Sequence, residues 1–167
     1  VMGAPMAGHL LESGLRVLAY NRTAAKAQAW RERFPAGETR DSLTQLAQQV
    51  DVVALCVGND SDVRETVTAM LPHLKKGAVI IDHTTTSSAL AQEMSALCAE
   101  HDVQFLDCPV SGGQAGAENG KLTIMAGVPT MWNAMLHAAA DVDSSDFEQL
   151  RIAISGGASL PGEVARA

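Results

Sequence analysis

Two short stretches of this sequence combine residue types suited to capturing small anions. Ser111-Gly112-Gly113 lies inside DCPVSGGQAGAENGKLTIMAG, residues 107–127. Successive backbone N–H groups in such a turn can converge on one point as an anion-binding nest, with the Ser111 hydroxyl beside it. Gly116 and Gly120 let the loop fold back before Lys121. A plain glycine-rich hairpin loop has the same composition, so at this point both readings stand. The second stretch is YNRT, residues 20–23. A dinucleotide-binding strand serving NAD ends in Asp or Glu for the ribose hydroxyls, but here Asn21 and Arg22 stand instead. A guanidinium grips phosphate through paired hydrogen bonds, which suits the 2′-phosphate of NADP. A solvated turn with Thr23 as a helix cap accounts for these residues equally well.

Other signals are weaker. VMGAPMAGHL opens the chain with Gly3 as the only candidate for a dinucleotide fingerprint that needs three glycines. Cys56, Cys98 and Cys108 are odd in number and lack C-x-x-C spacing, so reduced thiols are expected rather than disulfides or zinc. The scattered histidines likewise imply no metal site.

These residues need elements to hold them, and the pattern along the chain alternates. Helix is expected over residues 5–13, ending at Gly14, with a strand at 15–20. Thr23 is placed to cap a helix reaching Arg33. A short strand near 38–40 precedes a helix at 42–49, and DVVALCV (51–57) is an apolar run of strand length. Asp60 or Ser61 opens a helix ending before Pro72. AVIID (78–82) reads as a strand, 87–100 as a helix, and 103–109 and 121–127 as strands. Strands alternating with helices of this length mean βαβ units and a parallel sheet, hence a doubly wound α/β class. The continuous apolar strands predict a sheet covered on both faces.

Composition narrows the partners. A net charge of −7 with no basic cluster excludes nucleic acid as the main partner. The apolar runs at 52–57 and 78–81 are too short to span a bilayer, and no secretory signal is visible, so a cytoplasmic enzyme is expected.

VMGAPMAGHLLESGLRVLAYNRT closely resembles the opening of the β-hydroxyacid dehydrogenases, which include 3-hydroxyisobutyrate dehydrogenase and tartronate semialdehyde reductase. The resemblance implies a Rossmann-like NADP-binding domain over residues 1–126. That family starts with a short strand and a glycine pair just before this chain's first residue, so a sheet missing its first strand is expected. Met2 and Gly3 match the tail of the fingerprint, and Asn21, Arg22 and Thr23 match the adenosine-side loop. CVGND (56–60) matches a cofactor-lining loop through Val57, with Gly58 a variation on the usual proline. DHTTTS (82–87) matches a D-x-S-T segment that places Thr85 beside the nicotinamide ribose. By the same resemblance, Ser111, Gly112 and Gly113 hold the carboxylate of a small 3-hydroxy acid, and the cofactor is NADP in preference to NAD.

The family's catalytic Lys opens its helical second domain about fifty residues beyond the substrate serine. No Lys follows Lys121 here, so no catalytic residue is assigned and the chain is expected to be inactive alone. By the same resemblance, the helical domain that dimerises the family is not expected within these residues, which leaves the oligomeric state open. A non-catalytic NADP-binding or interaction module is the alternative. Residues 127–167 resemble instead part of an adenylate-forming acyl-CoA ligase: V-P-T-M and a hydrophobic helix, then LRIAISGGASLP (150–161). They are read as an appended segment.

Overall fold

The computed structural model describes residues 2–124. The expected boundary at 126, the appended segment 127–167 and the last part of the strand at 121–127 lie outside the described residues. The opening helix α1 spans Gly3–Glu12, two residues earlier than the pattern suggested, and ends at Gly14 with φ +91°. β1 is Leu18–Ala19, α2 is Ala24–Arg33 and β2 is Glu38–Thr39, with β1 and β2 parallel. The Trp30 indole of α2 donates to the Ala4 carbonyl at 3.0 Å and so pins α2 to α1.

The second half repeats the βα rhythm. α3 (Leu43–Ala47) is capped by Ser42, whose side chain accepts from Gln45 N. β3 (Val52–Leu55) feeds α4 (Asp60–Met70), which is capped by Asn59 rather than opened by Asp60 or Ser61. Asn59 Oδ1 accepts from Asp62 N at 3.1 Å, satisfying one of the free N–H groups of the first turn. A 3-10 turn, Leu71–His73, carries the chain through Pro72 to β4 (Val79–Asp82). Ser87 then caps α5 (Ser88–Ala99), and β5 (Gln104–Asp107) follows. The segment read as a glycine loop contains a short helix, α6 (Gly113–Glu118), held between β6 (Val110–Ser111) and β7 (Thr123–Ile124). β6 and β7 pair antiparallel.

β3, β4 and β5 form a parallel sheet in that order, with Leu55, Asp82 and Asp107 in one cross-strand row. No ladder joins β1–β2 to β3 among the described residues. β1 is two residues long where the pattern suggested six, and among the described residues it pairs only with β2.

One face of the larger sheet packs against α4 and α5. Ile80, Val63, Val67, Met70, Leu90 and Met94 are buried to 1% exposure or less there. The other face departs from expectation. Val52 and Leu106 are 56% and 46% exposed, and no described helix covers them. Apolarity on both sides of a strand records that burial is needed, not which element supplies it. No helix among the described residues is long and apolar enough to cross a membrane.

Candidate functional site

In a doubly wound sheet, ligand-binding loops collect at the carboxyl ends of the parallel strands, where helix N-termini point. Most of the candidate residues lie there. Gly3 begins α1 against the end of β3, where a Cβ on Gly3 would stand 3.2 Å from Cys56 Cβ. Met2 occupies the N-cap position without a side-chain cap, and the first turn of α1 carries no acidic residue. No side chain of the helix's own first turn therefore compensates the positive end of its dipole.

Asn21, Arg22 and Thr23 form the exposed link between β1 and α2. Thr23 occupies the N-cap position, yet its side chain makes no cap bond. Asn21 Oδ1 accepts from Thr23 N at 2.9 Å instead, so Asn21 shapes the turn and leaves the Thr23 hydroxyl free of a capping role. Arg22 reaches across to α4, with Nη1 2.9 Å from Asp62 Oδ1. Gly58 lies beneath that pair: a Cβ there would stand 2.6 Å from Asp62 Oδ2. Next to this loop opens a groove of about 630 Å³ lined by Tyr20, Asn21, Arg22, Arg31, Thr39 and Arg40, among others.

The loops after β3 and β4 are tied together. Val57 N donates to Thr84 Oγ1 at 3.0 Å, and Thr84 N donates to Asp82 Oδ1 at 2.9 Å. Thr85, the residue singled out in the sequence, is exposed beside these buried partners. Ser87 N donates to Asp60 Oδ1 at 3.1 Å and its hydroxyl donates to Asp60 Oδ2, joining the starts of α4 and α5. Those two bonds hold the Asp60 carboxyl below its usual range.

The link from β4 to the serine–glycine loop runs through His83. Its Nδ1–H donates to the Cys108 carbonyl at 2.8 Å, while Cys108 N donates to the Asp82 carbonyl at 2.8 Å. His83 is buried and braces the base of the loop that carries Ser111. Gly112 and Gly113 take φ +126° and +59°, a succession closed to most L residues, so the local turn requires both glycines. At the far end of α6, His9 of α1 donates through Nε2 to the Ala117 carbonyl at 2.9 Å.

Two carboxyl groups lie beneath this loop on neighbouring strands. Asp82 is buried with Oδ2 unpartnered, and burial pushes its pKa up against the opposing pull of Thr84. Asp107 is pushed up to about 6, by burial first and by the Asp82 charge second. Cys98 and Cys108 are buried free thiols and Cys56 is half-buried; burial raises all three, Cys98 to about 11. None of them is poised as a nucleophile. No group of metal-ligating side chains occurs among the described residues.

The fold thus joins Val57 to the threonine segment, and the threonine segment to the serine–glycine loop, by short hydrogen bonds. Arg22 joins the β3 loop only through Asp62. Sequence reasoning passed over Thr84 and Asp62, because a buried threonine and a helix-start aspartate carry no spacing signal; His83 could be named only as an acid in principle, with nothing in the sequence to place it at the serine–glycine loop.

A family profile described as the NAD binding domain of 6-phosphogluconate dehydrogenase matches residues 1–142. An uncharacterized oxidoreductase of Shewanella frigidimarina is 48% identical over 130 residues, covering 76% of this chain and 44% of that protein. A probable 3-hydroxyisobutyrate dehydrogenase-like protein 1 of Arabidopsis thaliana is 40% identical over 131 residues, covering 76% of this chain and 39% of that protein. The chain therefore spans less than half the length of these curated relatives. The solved structure of Psf3 in complex with NADP+ and 2-OPP is similar with a TM-score of 0.70 at 25% identity, over 82% of this chain and 49% of that one. With its parallel strands, its loops gathered at their carboxyl ends and these matches, the chain belongs to the family of 6-phosphogluconate dehydrogenase-type NAD-binding domains, with relatives of the 3-hydroxyisobutyrate dehydrogenase kind.

Proposed function

We propose that this chain is the NADP-binding part of an oxidoreductase of the 3-hydroxyisobutyrate dehydrogenase type, acting on a small 3-hydroxy carboxylate. The observation carrying the reading is the loop after β1, where Arg22 stands in place of a ribose-binding acid and opens on a groove that also holds Arg31 and Arg40. A carboxylate at this place would repel a 2′-phosphate, whereas arginines attract it. Asn21, Arg22 and Thr23 would hold the adenosine end. Met2 and Gly3, at the uncapped start of α1, would meet the diphosphate. Val57, Gly58 and Thr85 would line the nicotinamide side. When bound, the cofactor supplies a hydride acceptor or donor; the chain's part is to orient it and exclude water.

The substrate carboxylate would rest on the Gly112 and Gly113 amides and the Ser111 hydroxyl. His83 braces that loop from below and is a positioning residue in this reading. Hydride transfer also requires a proton donor or acceptor at the substrate oxygen. A second reading is a non-catalytic NADP-binding module. Residues 143–167 lie beyond the family match, and for them the acyl-CoA ligase resemblance of 150–161 stands as our reading.

Titration of NADPH and NADH fluorescence tests the cofactor assignment. A charge-assisted contact of about 1.5–3 kcal/mol corresponds to a preference for NADPH of roughly 10- to 100-fold. Arg22→Ala should remove most of it while leaving NADH binding in place. Equal affinities in the parent chain, or a preference untouched by Arg22→Ala, would refute the reading. Turnover of 3-hydroxyisobutyrate by the 167-residue chain would overturn the expectation that it is inactive alone.

A further inference from the structure

Arg22 is held differently from the arginines that serve the fold. Arg16 is gripped by Glu38 through two hydrogen bonds, at 2.8 and 3.2 Å. Arg64 is gripped by Glu93 through two more, both at 2.7 Å. Arg40, which lines the groove beside Arg22, donates to Glu38 Oε2 and to Gln49 Oε1, each at 2.7 Å. Arg22 meets Asp62 at a single close approach, Nη1 to Oδ1 at 2.9 Å, and its side chain is 66% exposed. Such a contact offsets charge without fixing the guanidinium plane, and it leaves the other N–H donors of the fork unused.

The start of α4 holds Asp62 in place for that contact. Its N–H donates to Asn59 Oδ1 at 3.1 Å, and a carboxylate in a first helical turn is favoured by the helix dipole. Asp60, the other acid of that turn, is taken up by the Ser87 N–H and hydroxyl, so Asp62 is the one that faces Arg22. A Cβ on Gly58 would stand 2.6 Å from Asp62 Oδ2, so the lack of a side chain there leaves the carboxylate its position. Asp62 does not itself line the groove and bears on it through Arg22. The first turns of α1 and α2, by contrast, carry no acid. The fold thus returns to the end of β1 a carboxylate that the loop after β1 lacks.

On the reading that the Arg22 loop takes the adenosine end of NADP, we propose that Asp62 is a specificity-determining residue. Its carboxylate competes with the 2′-phosphate for the Arg22 guanidinium and so restrains the preference for NADPH over NADH. A phosphate on Arg22 must displace Asp62 or share the guanidinium with a like charge, and either weakens its hold. NADH carries no charged group for this place, so Asp62 leaves its binding unchanged. Asp62 touches no reacting atom and acts through Arg22.

Fluorescence titration with NADPH and with NADH tests this on the full 167-residue chain, using Asp62→Asn, Arg22→Ala and the double variant. An exposed ion pair is worth a factor of about 1.5 to 5, and the carboxylate's repulsion of the phosphate adds to that. Asp62→Asn should therefore tighten NADPH by about threefold or more and leave NADH within about twofold. In the Arg22→Ala background the same substitution should do nothing, since the two side chains act as one unit. Glu100→Gln, which removes an equal charge at the far end of α5, should change neither affinity. If Asp62→Asn fails to fold, Asp62→Ser decides, because Ser also suits a first helical turn. An NADPH affinity that falls, or rises by less than the expected factor, would overturn the proposal. So would an equal gain for NADH, or a gain that persists without Arg22. A parent preference for NADPH that Arg22→Ala removes but Asp62→Asn leaves alone overturns the role of Asp62 and keeps the cofactor reading. NADPH binding indifferent to Arg22→Ala, or absent from every chain, overturns both.

Discussion

Replacing Asp107 by Asn should stabilise this protein at neutral pH and flatten its pH dependence. Asp107 is 7% exposed, and burial, with the Asp82 charge added, pushes its carboxyl from 3.8 up to about 6. A raised carboxyl pKa means that the folded chain holds its proton more tightly than the unfolded one. Below pH 3.8 both states are protonated and the group favours neither. Between 3.8 and about 6 the unfolded chain releases its proton while the folded chain retains it, so stability falls as pH rises; above 6 the loss is complete. At about 1.4 kcal/mol for each pH unit, the full loss is about 3 kcal/mol, of which about 2 kcal/mol falls between pH 4.5 and 7.5. Other shifted carboxylates act elsewhere on the pH scale. Glu38 is held at about 2 by Arg16 and Arg40, so what it contributes is lost only as pH falls below 4.5. Asp60, Glu93 and Asp102 are shifted down in the same way. Urea unfolding at pH 4.5 and 7.5 therefore isolates Asp107, with Asp82 shifted in the same direction beside it. Asn should exceed the parent by about 1 kcal/mol at pH 4.5 and by about 3 kcal/mol at pH 7.5, a rise in urea midpoint of about 1–3 M at the higher pH. A variant no more stable than the parent at pH 7.5, with the parent's fall in stability intact, would refute the account of this pair.

Two further outcomes follow from packing and backbone geometry. Met94→Ala empties a site that is fully buried between α5 and the sheet, and should cost about 2–5 kcal/mol in chemical denaturation without changing NADPH affinity in the folded fraction. Gly112→Ala places a Cβ at φ +126° and 3.2 Å from Leu122 Cδ2; backbone strain of about 1–3 kcal/mol should appear as local loosening of residues 110–124 in hydrogen exchange, with α4 and α5 unaffected.

Much of this domain was legible in the residue order. The alternation of apolar runs with helical spacing determined the parallel α/β class, because both periods are local properties of the chain. Gly112 and Gly113 announced a turn, since few other residues adopt positive φ, and Arg22 stood out by its charge at a strand end. Element ends were less legible: α1 starts at Gly3 and α4 is capped by Asn59, because several neighbouring residues could serve and packing chooses among them. A helix within the serine–glycine loop went unseen, its glycines arguing against α6 until β6 and β7 enclosed it. Tertiary structure alone decided that Thr84, not Thr85, bonds the β3 loop, that His83 braces the loop of Ser111, and that Asp62 meets Arg22. Each of those pairings joins residues more than twenty positions apart, and no local pattern records which strand ends come to lie side by side. The same limit governs the sheet itself: the sequence specified that β3, β4 and β5 be apolar on both sides, and only the fold shows that one side stands open among the described residues.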